Sequence, residues 1–255
     1  MIVCDERNPK AVALRSGLLS RLGAEWQPPA GVALVLGGDG YLLRTVAQYG
    51  YQHAWLGLNA GHLGFLLNDA SDLERVVSAL ADGRYRTYAF PTVAAQIVLS
   101  DGTPIEERAI NDVYLERMTG QAGRMRLWID GHEVVETLVS DGLIFATALG
   151  STAYAYSAGG QPFHPLLSML QVTPICPHQP RLPSLALPPS SVAEVEVLQY
   201  GWRPVRAVAD GRAVDGVRRV KVSLTPEGVR LVYFDHHDFT VRMLRKIANA
   251  GGTGG

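Results

Sequence analysis

Five apolar residues in a row, Val32 to Leu36, run directly into Gly37-Gly38-Asp39-Gly40. A strand with one wet face alternates polar and apolar residues. An unbroken apolar run marks a strand buried on both faces, as in a parallel sheet covered by helices. Such sheets bind ligands beyond the carboxyl ends of their strands, which is where these glycines stand. The neighbouring sequence agrees. Met1 to Cys4 reads as a first buried strand, and Pro9 suits the start of a helix. Val12, Leu14, Leu18, Leu19 and Leu22 recur at helical spacing until Gly23. Past Gly40 a helix is expected with Leu42, Leu43, Val46 and Ala47 inward. Ala54 to Leu58 reads as a third strand, followed by a second glycine loop, Asn59-Ala60-Gly61-His62-Leu63-Gly64-Phe65, and by a helix over Asp72 to Leu80. This alternation predicts an α/β domain built on a parallel sheet.

The pattern changes near Pro91. Strands are expected at Thr92–Leu99, Ala109–Glu116, Met125–Ile129, Glu133–Val139, Leu143–Ala146, Val192–Leu198, Val205–Ala209, Arg219–Leu224 and Val229–Tyr233. Asp101-Gly102 and Asp130-Gly131 are turn signals, the second a hairpin. Short strands with such turns predict a mostly antiparallel, β-sandwich-like domain. Pro174 to Pro189 is too rich in proline for regular structure. Phe239 to Ala248 reads as a helix with Leu244 and Ile247 apolar, and Gly251 to Gly255 as a frayed end. The expected organisation is an α/β domain over 1–90, a β-rich domain over 91–235 and a C-terminal segment over 236–255.

The 255 residues suffice for two modest cores. With 23 Lys+Arg against 24 Asp+Glu the formal net charge is −1. This balance offers no basic footprint for nucleic acid or an anionic membrane, so neither is expected as a partner. Cys4 and Cys176 belong to no metal-ligand or CxxC spacing and read as reduced thiols. Met1-Ile2-Val3-Cys4 meets Asp5-Glu6-Arg7 at once, without a signal-peptide pattern, and the expected location is the cytoplasm.

Two stretches carry the chemistry. In Gly37-Gly38-Asp39-Gly40, glycines let a phosphate or ribose approach the backbone. Asp39 would repel phosphate there unless it holds a metal, a hydroxyl or a proton in transfer. That combination suits phosphoryl transfer to an alcohol; the alternative is that Asp39 caps a helix beginning near Tyr41. In Ser140 to Gly160 a strand-like run feeds a loop of small residues, with Gly150, Ser151, Thr152, Ser157, Gly159 and Gly160. Its backbone N–H groups suit a ligand, or the loop is a serine-rich turn under a sheet. Asn111-Asp112 places an amide and an acid in an apolar strand. The pair suits a sugar diol or an adenine edge, or else a solvent-facing strand end or bulge. Asp141 suits an ordinary turn, and Tyr154 a core position or a base stack. Neither a P-loop nor a GxSxG elbow is present, and no metal-ligand spacing appears among the seven histidines.

Together these residues resemble the NAD kinase family. The matching pieces are Gly37-Gly38-Asp39-Gly40, Gly61-His62-Leu63-Gly64-Phe65, Asn111-Asp112, Ser140-Asp141-Gly142, Gly150-Ser151-Thr152-Ala153-Tyr154 with Ser157-Ala158-Gly159-Gly160, Thr173-Pro174-Ile175-Cys176-Pro177-His178, and Asp210-Gly211. The resemblance implies phosphoryl transfer from ATP, another nucleotide or polyphosphate to the 2′-hydroxyl of the adenosine ribose of NAD, giving NADP. It implies Asp39 as the acid at that hydroxyl, either base or orienting group. Gly37, Gly38 and Gly40 would face the donor phosphates, with Arg44 near them and a divalent cation, magnesium, as cofactor. Phe65, Asn111, Asp112, Asp141, Thr152, Ala153, Tyr154, Ser157 and Arg212 would line the NAD site. The C-terminal segment would return to the first domain, and the protein would be a homodimer or homotetramer.

The chain departs from the family pattern at Tyr41, where threonine is usual, and at Asp112, where glutamate is. Thr147-Ala148-Leu149 replaces Thr-Pro-Thr, Val139 stands at a basic position, and Arg212 replaces glutamine. Two other readings use the same loops. A diacylglycerol-type lipid kinase shares the GGDG turn but would favour an exposed amphipathic face, which is not seen. A non-catalytic NAD-binding module would bind the dinucleotide without forming NADP.

Overall fold

The computed structural model describes residues 1–60 and 64–250. Gly61-His62-Leu63 and Gly251 to Gly255, both singled out above, lie outside the described residues. The chain forms two compact units, one of residues 1–90 with 228–255, the other of residues 91–227. No helix among the described residues is long and apolar enough to cross a membrane.

The first unit begins β1 (Ile2–Cys4), α1 (Pro9–Leu22), β2 (Val32–Gly37), α2 (Asp39–Tyr49), β3 (Ala54–Asn59), β4 (Asn68–Asp69) and α3 (Leu73–Ala81). A long strand, β5 (Tyr85–Leu99), leaves it and runs unbroken through Pro91. The second unit continues with β6 (Pro104–Ala109), β7 (Asp112–Arg117), β8 (Gly123–Ile129), β9 (His132–Ser140) and β10 (Gly142–Ala146). A single 3₁₀ turn at Gly150–Thr152 and α4 (Tyr154–Ser157) follow, then β11 (Leu170–Ile175), β12 (Leu185–Leu187), β13 (Ala193–Val197), β14 (Val205–Ala209) and β15 (Arg212–Val214). The chain closes with β16 (Val217–Phe234) and α5 (Phe239–Ala250).

The parallel sheet is present as the unbroken apolar run predicted. In the first unit β1, β2, β3 and the end of β16 pair in that order, all parallel, and β4 adds parallel to β3. Leu34, Leu36, Leu56, Leu58, Val232 and Phe234 pack with Leu18 of α1 and Val76 and Leu80 of α3 in one core. The helices start and stop on local signals. The Asn8 side chain accepts the Lys10 N–H ahead of Pro9, and Asp72 accepts the Arg75 N–H ahead of α3. Asn68 is fully buried and fully used. Its amide donates to the carbonyls of Gly57 (3.1 Å) and Val232 (2.9 Å), and its oxygen accepts the Phe234 N–H at 2.9 Å. A buried amide with fewer partners would be costly.

The second unit is antiparallel throughout its named pairs. A six-stranded sheet has the order β12-β11-β10-β7-β14-β15. Against it lie β9, β8, β13 and the first part of β16, and β5 pairs β6. Alternate residues of both layers, among them Val113, Leu115, Phe145, Leu127, Val195 and Val220, share one core, as in a sandwich. The Asp130-Gly131 hairpin is real: both residues have positive φ, 51° and 79°.

Four strand expectations change. Ala109 to Glu116 is not one strand but the end of β6 and most of β7. The break falls at Ile110-Asn111, whose amides leave the ladder for the Asp210 carboxylate. Arg219–Leu224 and Val229–Tyr233 are one strand, β16. The strand expected from Thr92 begins at Tyr85. The proline-rich stretch contains the end of β11 and all of β12, because its prolines other than Pro174 fall outside the two strands.

Candidate active site

In the first unit β2 ends at Gly37, Gly38 caps α2 without a side-chain bond, and Asp39 opens the helix. Its carboxylate does not cap α2. It turns to the 64–67 segment and accepts the Phe65 N–H on Oδ2 (2.7 Å) and the Leu66 N–H on Oδ1 (3.1 Å). Gly64 is required beside it, because a Cβ there would stand 2.8 Å from Asp39 Oδ1. Burial raises the Asp39 pKa. The two amides, Lys246 and Arg242 oppose that rise by favouring the charged form. Lys246 lies with its Nζ 5.0 Å from the Phe65 ring centroid, and burial lowers its pKa against the pull of Asp39. Behind them Tyr233 is fully buried, its hydroxyl without a hydrogen-bond partner among the described residues. Arg44 is exposed and lies 6.0 Å from the Tyr41 ring centroid. Tyr41 itself donates from Oη to the Cys4 carbonyl at 2.7 Å, so the residue that replaces the family threonine ties the turn to β1.

In the second unit the organising residue is Asp210, at φ 43°. Its carboxylate accepts the amides of Ile110 (2.6 Å), Asn111 (3.0 Å) and Asp112 (3.4 Å). Those bonds bend the chain between β6 and β7 and present Asn111, whose Oδ1 is buried without a partner among the described residues. Asp112 is buried, and burial with the nearby Asp210 charge pushes its pKa up to about 7. Burial also raises the Asp210 pKa, but its three amides favour the anion. The three amides thus favour the anion at Asp210, while burial and the Asp210 charge favour the protonated form at Asp112.

The small-residue loop is fastened to the same bend. Thr147 Oγ1 donates to the Ile110 carbonyl (2.8 Å) and accepts the Gly150 N–H (3.0 Å). A Cβ on Gly150 would collide with the Asn111 carbonyl. Ser151 Oγ donates to the Ala148 carbonyl at 2.6 Å and accepts the Phe163 N–H at 2.8 Å, so this hydroxyl serves the loop itself. Thr152 is buried, Ala153 is half-buried, and Tyr154 and Ser157 are exposed. The Tyr154 ring meets Tyr114 edge-on at 4.9 Å.

Asn111, Asp112 and the 150–154 loop thus gather at one end of the β7–β10 pair, where Asp112 stands opposite Ala146. Asp141 lies at the other end, about 15 Å along the strands by the usual rise per residue. It is paired with Arg117 at 2.6 Å. Sequence reasoning missed Arg117 as the cation beside Asp141, having looked for it at Val139. Arg212 bonds Glu107 (2.9 Å) and the Arg108 carbonyl (2.7 Å). Arg242 and Lys246 were also missed. They occupy an ordinary amphipathic helix, and no local signal distinguishes them.

In fold the chain matches two solved kinases. A yeast NADH kinase complexed with NADH aligns with a TM-score of 0.82 at 20% identity, over 99% of this chain and 88% of that one. An NAD kinase from Archaeoglobus fulgidus in complex with ATP aligns at 0.74 and 23% identity, over 98% of both chains. The fold is that of these dinucleotide kinases. Sequence similarity reaches further. The family described as ATP-NAD kinase C-terminal domain matches residues 110–227. The NAD kinase of Brucella suis is 34% identical over 92% of this chain and 91% of its own, and that of Rickettsia typhi 35% over 85% of each. The chain belongs to the NAD kinase family.

Proposed function

We propose that this chain transfers a phosphoryl group from ATP to the 2′-hydroxyl of the adenosine ribose of NAD, giving NADP. The observation that carries the reading is the Asp39 carboxylate, half-buried at the carboxyl end of β2 and held on two successive amides. Phosphoryl transfer asks little covalent chemistry of a protein; positioning and charge neutralisation dominate. An acid in this setting orients the attacking hydroxyl and accepts its proton. Burial helps by raising its pKa towards neutrality, where a base is most effective.

The remaining roles follow the same reading. Gly38 and Gly40 leave backbone open to the donor phosphates, with Arg44 exposed one turn on, whereas Gly37 is buried under the Tyr41 side chain and would act through its shape alone. Asn111 and Asp112 take the adenosine end of NAD, and the unpartnered Asn111 Oδ1 supports this. Thr152, Ala153, Tyr154 and Ser157 flank it, and Asp141 with Arg117 takes the far end. Phe65 and Arg212 act as supports through the contacts already given. A divalent cation, magnesium, neutralises phosphate charge when bound. Among the described residues no group of three His, Cys, Asp or Glu side chains could hold it; the donor's phosphates would supply its ligands. We place the reaction in the cytoplasm and the chain in a homodimer or homotetramer; light scattering on the pure protein tests the latter, and a monomer counts against it.

The deciding experiment is NADP formation from NAD, ATP and magnesium by the wild type and by Asp39→Asn. Loss of most turnover in a folded variant is expected. Undiminished turnover would remove Asp39 from the reaction.

A further inference from the structure

The 64–67 turn that holds Asp39 is itself held from behind, by a residue far along the chain. Arg242, on α5, donates through Nη2 to the Gly64 carbonyl and to the Leu67 carbonyl, the latter at 3.1 Å. These two carbonyls bracket Phe65 and Leu66, the residues whose N–H groups grip the two oxygens of Asp39. One guanidinium therefore closes the turn on one side while a carboxylate closes it on the other.

The geometry points to Arg242 as a positioning residue for Asp39: it fixes the two amides that aim the carboxylate. This rests on the reading of Asp39 as the acid at the acceptor hydroxyl. A planar guanidinium suits the task because one rigid group serves two carbonyls at once. His237 packs 4.2 Å from the Tyr233 ring, and burial, with the Arg242 charge next, pushes its pKa down to about 3. Arg242 thus has a neutral imidazole beside it, not a second cation.

The charged and titratable groups that act on Asp39 come from two elements besides the turn: Arg242 and Lys246 from α5, and Tyr233 from β16. Both cations favour the carboxylate, and Tyr233 is neutral at working pH, its ionisation opposed by burial and by Asp39. Removing Arg242 deletes one of the two cations and loosens both amides. Each change raises the Asp39 pKa, so the acid limb of the kcat/KM profile moves to higher pH.

The test uses Arg242→Gln and Arg242→Lys in the full chain, with kcat, KM for NAD, the pH profile and a melting curve. Arg242→Gln should lower kcat roughly ten- to a hundredfold, the scale expected for misplacing a reacting group by up to about 1 Å, with little change in KM. Its acid limb should move up. Arg242→Lys keeps the charge and should return the limb to its wild-type position with part of the turnover. A folded Arg242→Gln with wild-type kcat overturns the proposal, as does lost turnover with an unmoved limb and no rescue by lysine. Should Arg242→Gln fail to fold, Arg242→Lys decides: a folded protein with reduced kcat supports the proposal and full turnover overturns it. Asp39→Asn separates the two levels. Turnover surviving that change sinks the underlying reading, whereas a dead Asp39→Asn beside an unaffected Arg242→Gln sinks only this one.

Discussion

The carboxylate of Asp210 accepts the backbone N–H of Ile110 at 2.6 Å, across a hundred residues of chain. It also takes the next two amides, so one side chain replaces the ladder bonds lost where β6 gives way to β7. Asp210→Ala would leave those amides without their acceptor, at a cost of about 1–3 kcal/mol for each one that stays buried. Urea unfolding of the variant should show a lower midpoint and, in the folded fraction, weaker NAD binding. An unchanged midpoint would mean the bend is held by other bonds.

Asp112 should make stability depend on pH. Its folded pKa of about 7 lies above the unfolded value. Between the two, the native protein keeps a proton that the unfolded chain has released. The stabilisation is therefore complete below the unfolded pKa and is lost as pH rises through about 7. Asp112→Asn cannot titrate and removes this slope. Urea midpoints at several pH values should show the variant gaining on the wild type as pH increases, and a gain in the other direction would refute the assignment.

Gly150 touches the backbone of Asn111 where a side chain would go. Gly150→Ala must push the small-residue loop off the bend, and KM for NAD should rise by about tenfold or more, as expected when a binding loop is displaced. Steady-state kinetics against NAD, with ATP saturating, measure this. An alanine variant with native KM would show that the loop yields without consequence.

Tyr41→Phe removes only the bond from Oη to the Cys4 carbonyl. Stability should fall by about 0.5–1.5 kcal/mol, the usual worth of one such bond, while turnover with ATP is kept. If turnover falls instead, Tyr41 acts on the donor and not merely on β1.

What could be seen beforehand depended on how local its cause is. The run Val32 to Leu36 announced a buried parallel strand because burial on both faces leaves no room for polar residues. Gly150 to Tyr154 stood out by composition alone. By contrast, β6 is Pro-Ile-Glu-Glu-Arg-Ala, whose charges hide its alternation. The interruption at Ile110-Asn111 depends on Asp210, and no neighbouring residue signals it. The fate of Asp39 was open for the same reason. Helix capping and a ligand role both fit Gly37-Gly38-Asp39-Gly40, and the cap is ruled out by the amides of Phe65 and Leu66, far along the chain. Arg242 lay furthest from view, since its significance is two carbonyls that only folding brings to it.

The strand β16 ends in the unit that the chain began with, and α5 follows it there. During synthesis, then, the opening ninety residues leave the ribosome long before the last strand of their own sheet. Until Val232 and Phe234 arrive, Asn68 has no carbonyl and no N–H from that strand to bond, and the turn that grips Asp39 has no guanidinium behind it. The nascent chain must keep an open sheet edge while the entire second unit is made, so the first sheet of such an enzyme is completed only after residues 91–227 have been synthesised.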